Sequence, residues 1–186
     1  MRRTLMAICL CLSSAMGWAQ TEGRYDKGSV PVVNGRVMLQ ETIYTTLSQA
    51  ESYERISQWA QQRFSKPKVI VSKFTSEDAT NHSLSLTAEE YVVFTNRFFV
   101  LDRTRINYWV ELQCTEQGAT IKMTRINYWY EEEREGGLKF SAEEFITDDA
   151  AFNKKGKLLK DQGKFRRGTI DLFDNLVEEI NNVLTL

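Results

Sequence analysis

The sequence predicts an α+β fold. About five strands form one antiparallel sheet in the order strand, helix, four strands, helix, with both helices on one face. Three observations carry this. An Asn-Gly pair between apolar residues opens the folded part of the chain; Thr104 to Cys114 alternates strictly; and two segments of helical periodicity bracket the strands. With 186 residues, 24 Lys+Arg, 25 Asp+Glu, 11% aromatics and only 2 Pro, the chain has the composition of one globular domain. The near balance of charge argues against a polyanion or nucleic-acid partner, and one His with three Cys leaves little material for a metal cluster.

The first residues read as an export segment. Arg2 and Arg3 precede an apolar run over residues 5–12, too short to span a bilayer, and small residues follow up to Ala19. Gly17 and Ala19 occupy the −3 and −1 positions of a cleavage site after Ala19. The expected organisation is therefore a signal peptide over residues 1–19 and a single domain over 20–186, exported to the periplasm or cell envelope. Ile8 and Leu10 precede Cys9 and Cys11 where a lipoprotein signal prefers a small side chain, so a lipid anchor is not expected. Removing Arg2 and Arg3 leaves 22 basic against 25 acidic residues, a net charge of −3. Cys114 is then the only cysteine and has no partner for an intramolecular disulfide.

Along the mature chain, Asn34-Gly35 predicts a hairpin, because both turn positions require positive φ, with strand continuing to about Tyr44. Ser48 and Glu51 have capping-box spacing. After them Tyr53, Ile56, Ala60 and Phe64 recur at helical spacing, with Trp59 at the edge, until Pro67. Strand character returns at Val69 to Val71, then around polar breaks at Leu84 and Leu86, Tyr91 to Phe94 and Phe98 to Leu101, in the alternation of Thr104 to Cys114, and from Ala119 to about Glu132. Residues 133–137 break the pattern. Ala142 to Ile146 suits one or two helical turns, and residues 153–167 read as a basic loop. Phe173, Leu176, Val177, Ile180 and Leu184 define the last helix.

An internal repeat is the most informative feature. Thr-Arg-Ile-Asn-Tyr-Trp occurs at residues 104–109 and again at 124–129. On the two arms of one hairpin, with a three-residue loop Glu116-Gln117-Gly118, Arg105 opposes Trp129, Trp109 opposes Arg125, and Asn107 opposes Asn127. The antiparallel fold thus turns a repeated Arg-x-x-x-Trp spacing into two reciprocal Arg–Trp pairs. Ile121 and Met123 share the phase of Arg125 and Trp129, so either a bulge near Thr124 resets the phase or another element covers that face.

These residues resemble a family of secreted bacterial proteins, the domain of unknown function 4468 with TBP-like fold. The matching stretches are residues 27–37, 101–108, 125–133, 142–148 and 163–172, most specifically Leu-Asp-Arg-Thr-Arg-Ile-Asn-Tyr and Tyr-Trp-Tyr-Glu-Glu. The resemblance implies a curved antiparallel sheet backed by two helices. It implies no activity and carries over no site residues.

Candidate chemistry is sparse. His82 is the single histidine and sits in a polar stretch; Cys114 alternates with core residues and reads as an inert buried thiol. No nucleophile elbow, phosphate loop or dinucleotide fingerprint is present, and no cofactor or metal is implied. The acidic residues Glu131 to Glu133, Glu135, Glu143, Glu144, Asp148 and Asp149 suit a solvated edge better than a paired-carboxylate or calcium site. The candidate binding residues are Arg105, Asn107, Trp109, Arg125, Asn127 and Trp129. The expected function is a non-catalytic exported binding module that uses this face, or a cleft between sheet and helices, for a protein, glycan or lipid of the envelope. A carboxylate-dependent hydrolase and a structural envelope subunit are the alternatives.

Overall fold

The structure, a computed structural model, describes residues 23–98 and 100–185. The expected signal peptide, its cleavage after Ala19, and Cys9 and Cys11 lie outside the described residues. Seven strands and four α-helices occur among the described residues: β1 Val32–Val33, β2 Arg36–Tyr44, α1 Gln49–Phe64, β3 Val69–Asp78, β4 Ser83–Arg97, β5 Val100–Thr115, β6 Gly118–Tyr130, β7 Leu138–Ser141, α2 Ala142–Phe145, α3 Asp148–Ala151 and α4 Lys160–Thr185. The sheet order is β1-β2-β6-β5-β4-β3, every pair antiparallel, and β7 continues beside β6 where β2 leaves off.

The α+β class holds, and the strand count rises from about five to seven. One addition is β1, the two-residue arm of the Asn34-Gly35 hairpin, where φ is +52° and +75° as an Asn-Gly turn requires. The other is β7, whose four residues are too few to show an alternation. Two short helices also join the two long ones. The stretch expected to be a basic loop is helical from Lys160 onward. Its apolar positions Phe165, Leu172, Phe173 and Leu176 form one stripe facing the sheet, and this packing outweighs the low helix propensity of Gly163 and Gly168. At Gly168 the helix approaches β4 so closely that a Cβ would lie 2.5 Å from Val92 Cγ1.

Ser48 caps α1 as its spacing predicts, accepting the Glu51 N–H at 3.2 Å, but the Glu51 carboxylate binds Arg55 rather than closing the box. The reciprocal box forms instead at Ser141 and Glu144, ahead of α2. α1 and α4 cover one face of the sheet. Between them and the strands lie Ile56, Phe64, Leu86, Tyr108, Ile121 and Leu176, all buried. Cys114 belongs to this core, and burial pushes its thiol up to about 11, far from a reactive thiolate. Among the described residues no helix is long and apolar enough to cross a membrane.

The core also encloses charge. Arg63 of α1 and Glu90 of β4 are 1% and 4% exposed, with Arg63 Nη2 donating to both Glu90 oxygens at 3.0 and 3.1 Å. The Tyr108 hydroxyl donates to the same carboxylate at 2.5 Å, and burial beside Glu90 holds its pKa well above the usual phenol range. Glu179 of α4 accepts from Trp59 Nε1 and lies 3.3 Å from Arg63 Nε, so one cluster ties both long helices to the sheet. Removing one partner of such a pair strands the other in the core. Glu90→Ala is expected to lose about 3–5 kcal/mol of unfolding free energy in urea titrations. The triple change Arg63→Met, Glu90→Leu, Tyr108→Phe recovers most of it; a loss under about 1 kcal/mol for Glu90→Ala would contradict this role.

Candidate functional site

The candidate site forms on the β5–β6 hairpin, on the sheet face turned away from α1 and α4. From Thr104↔Tyr130 to Asn107↔Asn127 the register is the one the repeat predicts, with Arg105 opposite Trp129. Beyond Asn107 it slips by one. Trp109 pairs with Thr124, not with Arg125, and the remaining ladder ends at Thr115↔Gly118 around a two-residue turn in place of the three-residue loop. The ladder passes so close to β2 that a Cβ on Gly118, at φ +148°, would lie 2.0 Å from the Ile43 carbonyl oxygen.

The slip is a β-bulge in β6. Arg125 takes φ +52°, and residues 125 and 126 together oppose Tyr108. Met123 and Ile126 can therefore both be buried, while Arg125 is exposed between them. Of the two ways to resolve the phase conflict, the structure uses the bulge. It restores the second pair despite the changed register: the Arg125 guanidinium carbon lies 4.0 Å from the Trp109 ring centroid, and that of Arg105 lies 4.9 Å from Trp129.

All six candidate residues share this face. Asn107 and Asn127 are paired at its centre and exposed, and the Asn127 amide donates to the Arg125 carbonyl at 2.9 Å. Across the strands, Arg105, Trp129 and Lys139 follow one another on β5, β6 and β7. Lys139 Nζ lies 4.3 Å from the Trp129 ring, whose Nε1 donates to the Gly136 carbonyl at 2.7 Å. A cavity of about 550 Å³ is lined by Arg105, Asn107, Asn127, Trp129, Lys139 and Ser141, together with the carboxylates Glu89 and Glu144 and the rings of Tyr128 and Phe140. A second, of about 490 Å³, is lined by Arg36, Asn107, Trp109, Arg125, Asn127, Ser141 and Glu143. They meet at Asn107, Asn127 and Ser141, forming one trough.

The two arginines differ electrically. Arg105 is bound by Glu89 at 2.9 Å and Glu132 at 2.6 Å. Burial pulls its guanidinium pKa down, yet hydrogen bonding to Tyr91 and Glu89 and the field of Glu132 outweigh this and raise it. Arg125 has no acidic partner among the described residues, and neither has Arg36.

Lys139 and Arg36 are site residues that the sequence reading missed. Lys139 reaches the trough only through β7, which carries no alternation signal. Arg36 directly follows the Asn-Gly turn, and the hairpin register there could have placed it at the sheet edge. The carboxylates considered for hydrolysis hold structural positions. Glu132 accepts from Tyr91, Glu143 from the Val37 N–H at 2.8 Å, Glu144 from the Ser141 N–H at 2.8 Å, and Asp148 from Arg166 at 2.8 Å. The Ser141 backbone and side-chain hydrogen bonds hold the Glu144 carboxyl below its usual value. No cluster of three His, Cys, Asp or Glu that could hold a metal ion occurs among the described residues. His82, at φ +50° as the last residue of the β3–β4 turn, sets its ring edge-on to Tyr53. The basic stretch over residues 153–167, helical from Lys160, commits two of its cations to contacts within the fold. Arg166 is fully buried on the Tyr25, Asp26 and Ile146 carbonyls and Asp148, and Lys164 binds Asp102 and Tyr130, each at 2.9 Å. Between the sheet and the two long helices the described residues pack as core.

Comparison with known proteins agrees with this architecture. A crystal structure of a DUF4468 family protein from Bacteroides ovatus superposes with a TM-score of 0.81 at 29% identity, over 90% of this chain and 97% of that one. A TBP-like protein from Parabacteroides distasonis gives a TM-score of 0.69 at 21% identity, over 84% of this chain and 97% of the other. No curated protein matches the sequence. The family model described as domain of unknown function (DUF4468) with TBP-like fold matches residues 40–129, which span the repeat and both Arg–Trp pairs. Over that stretch, from Gln40 in β2 through Trp129, the chain is similar to the DUF4468 family, and its fold is the TBP-like one.

Proposed function

We propose that the protein is a non-catalytic binding module of the cell envelope, exported by its first 19 residues, whose binding surface is the outer face of the β5–β6 hairpin. The observation that carries this reading is the trough itself: two cation-stacked indoles flank a pair of exposed amides on a face that neither long helix covers. Trp and Arg are enriched among the residues that dominate the energetics of binding interfaces, because one side chain combines apolar area with fixed donors. A cavity of several hundred cubic ångströms is also the size at which polar ligands are held by convergent side chains. The side chains here offer donors, acceptors and ring faces, and the Ser141 hydroxyl that donates to Glu144 at 2.9 Å does so within the capping box of α2. The carboxylates nearest the trough are engaged by backbone N–H groups, a tyrosine and an arginine.

Two measurements test the reading. Trp109→Ala with Trp129→Ala is expected to reduce retention of the protein on isolated envelope fractions at least tenfold while the cooperative unfolding transition persists. Glu132→Gln with Glu144→Gln leaves no turnover to lose; hydrolysis of an envelope substrate that disappears in the glutamine variant would contradict the reading. In producing cells the protein is expected outside the cytoplasm with Gln20 as its first residue, and a cytoplasmic protein retaining Arg2 and Arg3 would contradict export.

A further inference from the structure

We infer that the trough takes an acidic oligosaccharide, its anionic group seated between Arg125 and Arg36 and its sugar rings running past Trp109 and the Asn107–Asn127 pair. The inference rests on the binding-module reading and names the ligand class for that surface.

Arg125, a non-glycine residue at φ +52° within a strand, holds a costly conformation, and bulges of this kind serve to re-aim a side chain. Here the side chain is aimed across the indole of Trp109 into the cavity that Arg36 also lines. The core requires only that the phase be reset; it does not require arginine. Glycine or asparagine would take the same backbone conformation at lower cost. Neither guanidinium is matched by a carboxylate among the described residues, and the nearest one, Glu143, is held on the Val37 N–H. At the other end of the trough Arg105 is bound by Glu89 and Glu132. The hairpin repeat thus builds two similar ends of unequal charge: at one, two carboxylates bind Arg105 beside Lys139, and at the other Arg125 and Arg36 share a cavity with one carboxylate, Glu143.

The remaining lining selects the ligand class. A protein partner would need a continuous apolar centre to exclude water, yet beyond the two indoles this face carries Ser85, Thr87, Glu89, Glu111, Gln113 and Lys122. The trough lies in mid-sheet, where the backbone groups of β5 and β6 bond to each other and to their neighbours, so an extended peptide cannot add as a strand. A lipid chain would need an apolar cavity. Amide, hydroxyl and guanidinium groups beside an indole suit a ligand that is hydroxylated at its edges, apolar on its ring faces and acidic at one position. Bidentate hydrogen bonding from Arg to carboxylate or sulfate then fixes its orientation.

The test measures binding of the purified protein, by calorimetry, to three probes: uronic-acid tetrasaccharides, sulfated tetrasaccharides and their neutral counterparts. One or both acidic probes should bind, with the neutral probe at least tenfold weaker and affinity falling as salt rises. Arg125→Gln should weaken acidic binding at least tenfold, whereas Lys154→Gln, a charge-matched change in the exposed α3–α4 loop, leaves it unchanged. Arg125→Gly separates function from fold: it should keep or raise the melting temperature, by up to about 4 °C, while losing the same affinity. Acidic and neutral probes bound equally well, with affinity lost in Trp109→Ala but kept in Arg125→Gln, would overturn the anion seat and leave the binding module standing. Binding of an acidic peptide but no oligosaccharide would overturn the ligand class. Binding of no probe would overturn the proposal, and the envelope-fraction experiment above would then judge the module by itself.

Discussion

The architecture depends on how β6 is laid against β5. Side chains on a strand alternate with a period of two, so any fixed register that buries Ile121 and Met123 would also bury Arg125 and Trp129. One inserted residue removes the conflict. Below the bulge the odd-numbered residues of β6 face the core; above it Ile126 and Tyr128 do, and Asn127 and Trp129 turn outward. The same insertion brings Arg125 back over Trp109, although their backbones are no longer directly paired. One local irregularity therefore sustains a continuous core on one side and a continuous polar–aromatic surface on the other.

The two faces are held by different physics. On the helix side, apolar burial supplies the driving force, and the Arg63–Glu90–Tyr108 cluster fixes where α1 and α4 sit, because its charges tolerate no misplacement once they are out of water. Arg166 plays a similar part at the start of α4, gathering the carbonyls of Tyr25, Asp26 and Ile146 with Asp148, so that the chain entering the domain, α3 and α4 are joined at one guanidinium. On the outer face the interactions are exposed stacking and ion pairing. Each is worth about 1 kcal/mol or less, little for stability but well suited to a surface that exchanges water for a ligand.

Much of this was legible in the chain itself. Asn34-Gly35, the alternation of Thr104 to Cys114 and the twofold Thr-Arg-Ile-Asn-Tyr-Trp are local signals, and local signals survive folding. The Arg–Trp pairing followed from antiparallel geometry alone, and Arg105 with Trp129 pairs where counting places it. Less was legible where distant contacts decide. Arg166 read as part of a basic loop, and Arg63 gave no signal of its own, because their acceptors lie up to 141 and 27 positions away. Lys160 to Arg167 read as a loop because its charges mask the stripe that starts at Phe165 and its two glycines lower its propensity. β7 and the one-residue slip at Arg125 are consequences of neighbouring strands, which no single segment encodes.

The most direct test of the account is the proton spectrum of the arginine side chains in solution. Methylene protons held over an indole are shifted upfield by its ring current. The account predicts upfield Arg125 Cδ protons that return to ordinary positions in Trp109→Ala and are unmoved in Trp129→Ala, with the converse for Arg105. Ordinary shifts for both arginines in the unaltered protein would contradict the reciprocal pairs, and with them the surface on which the functional reading stands.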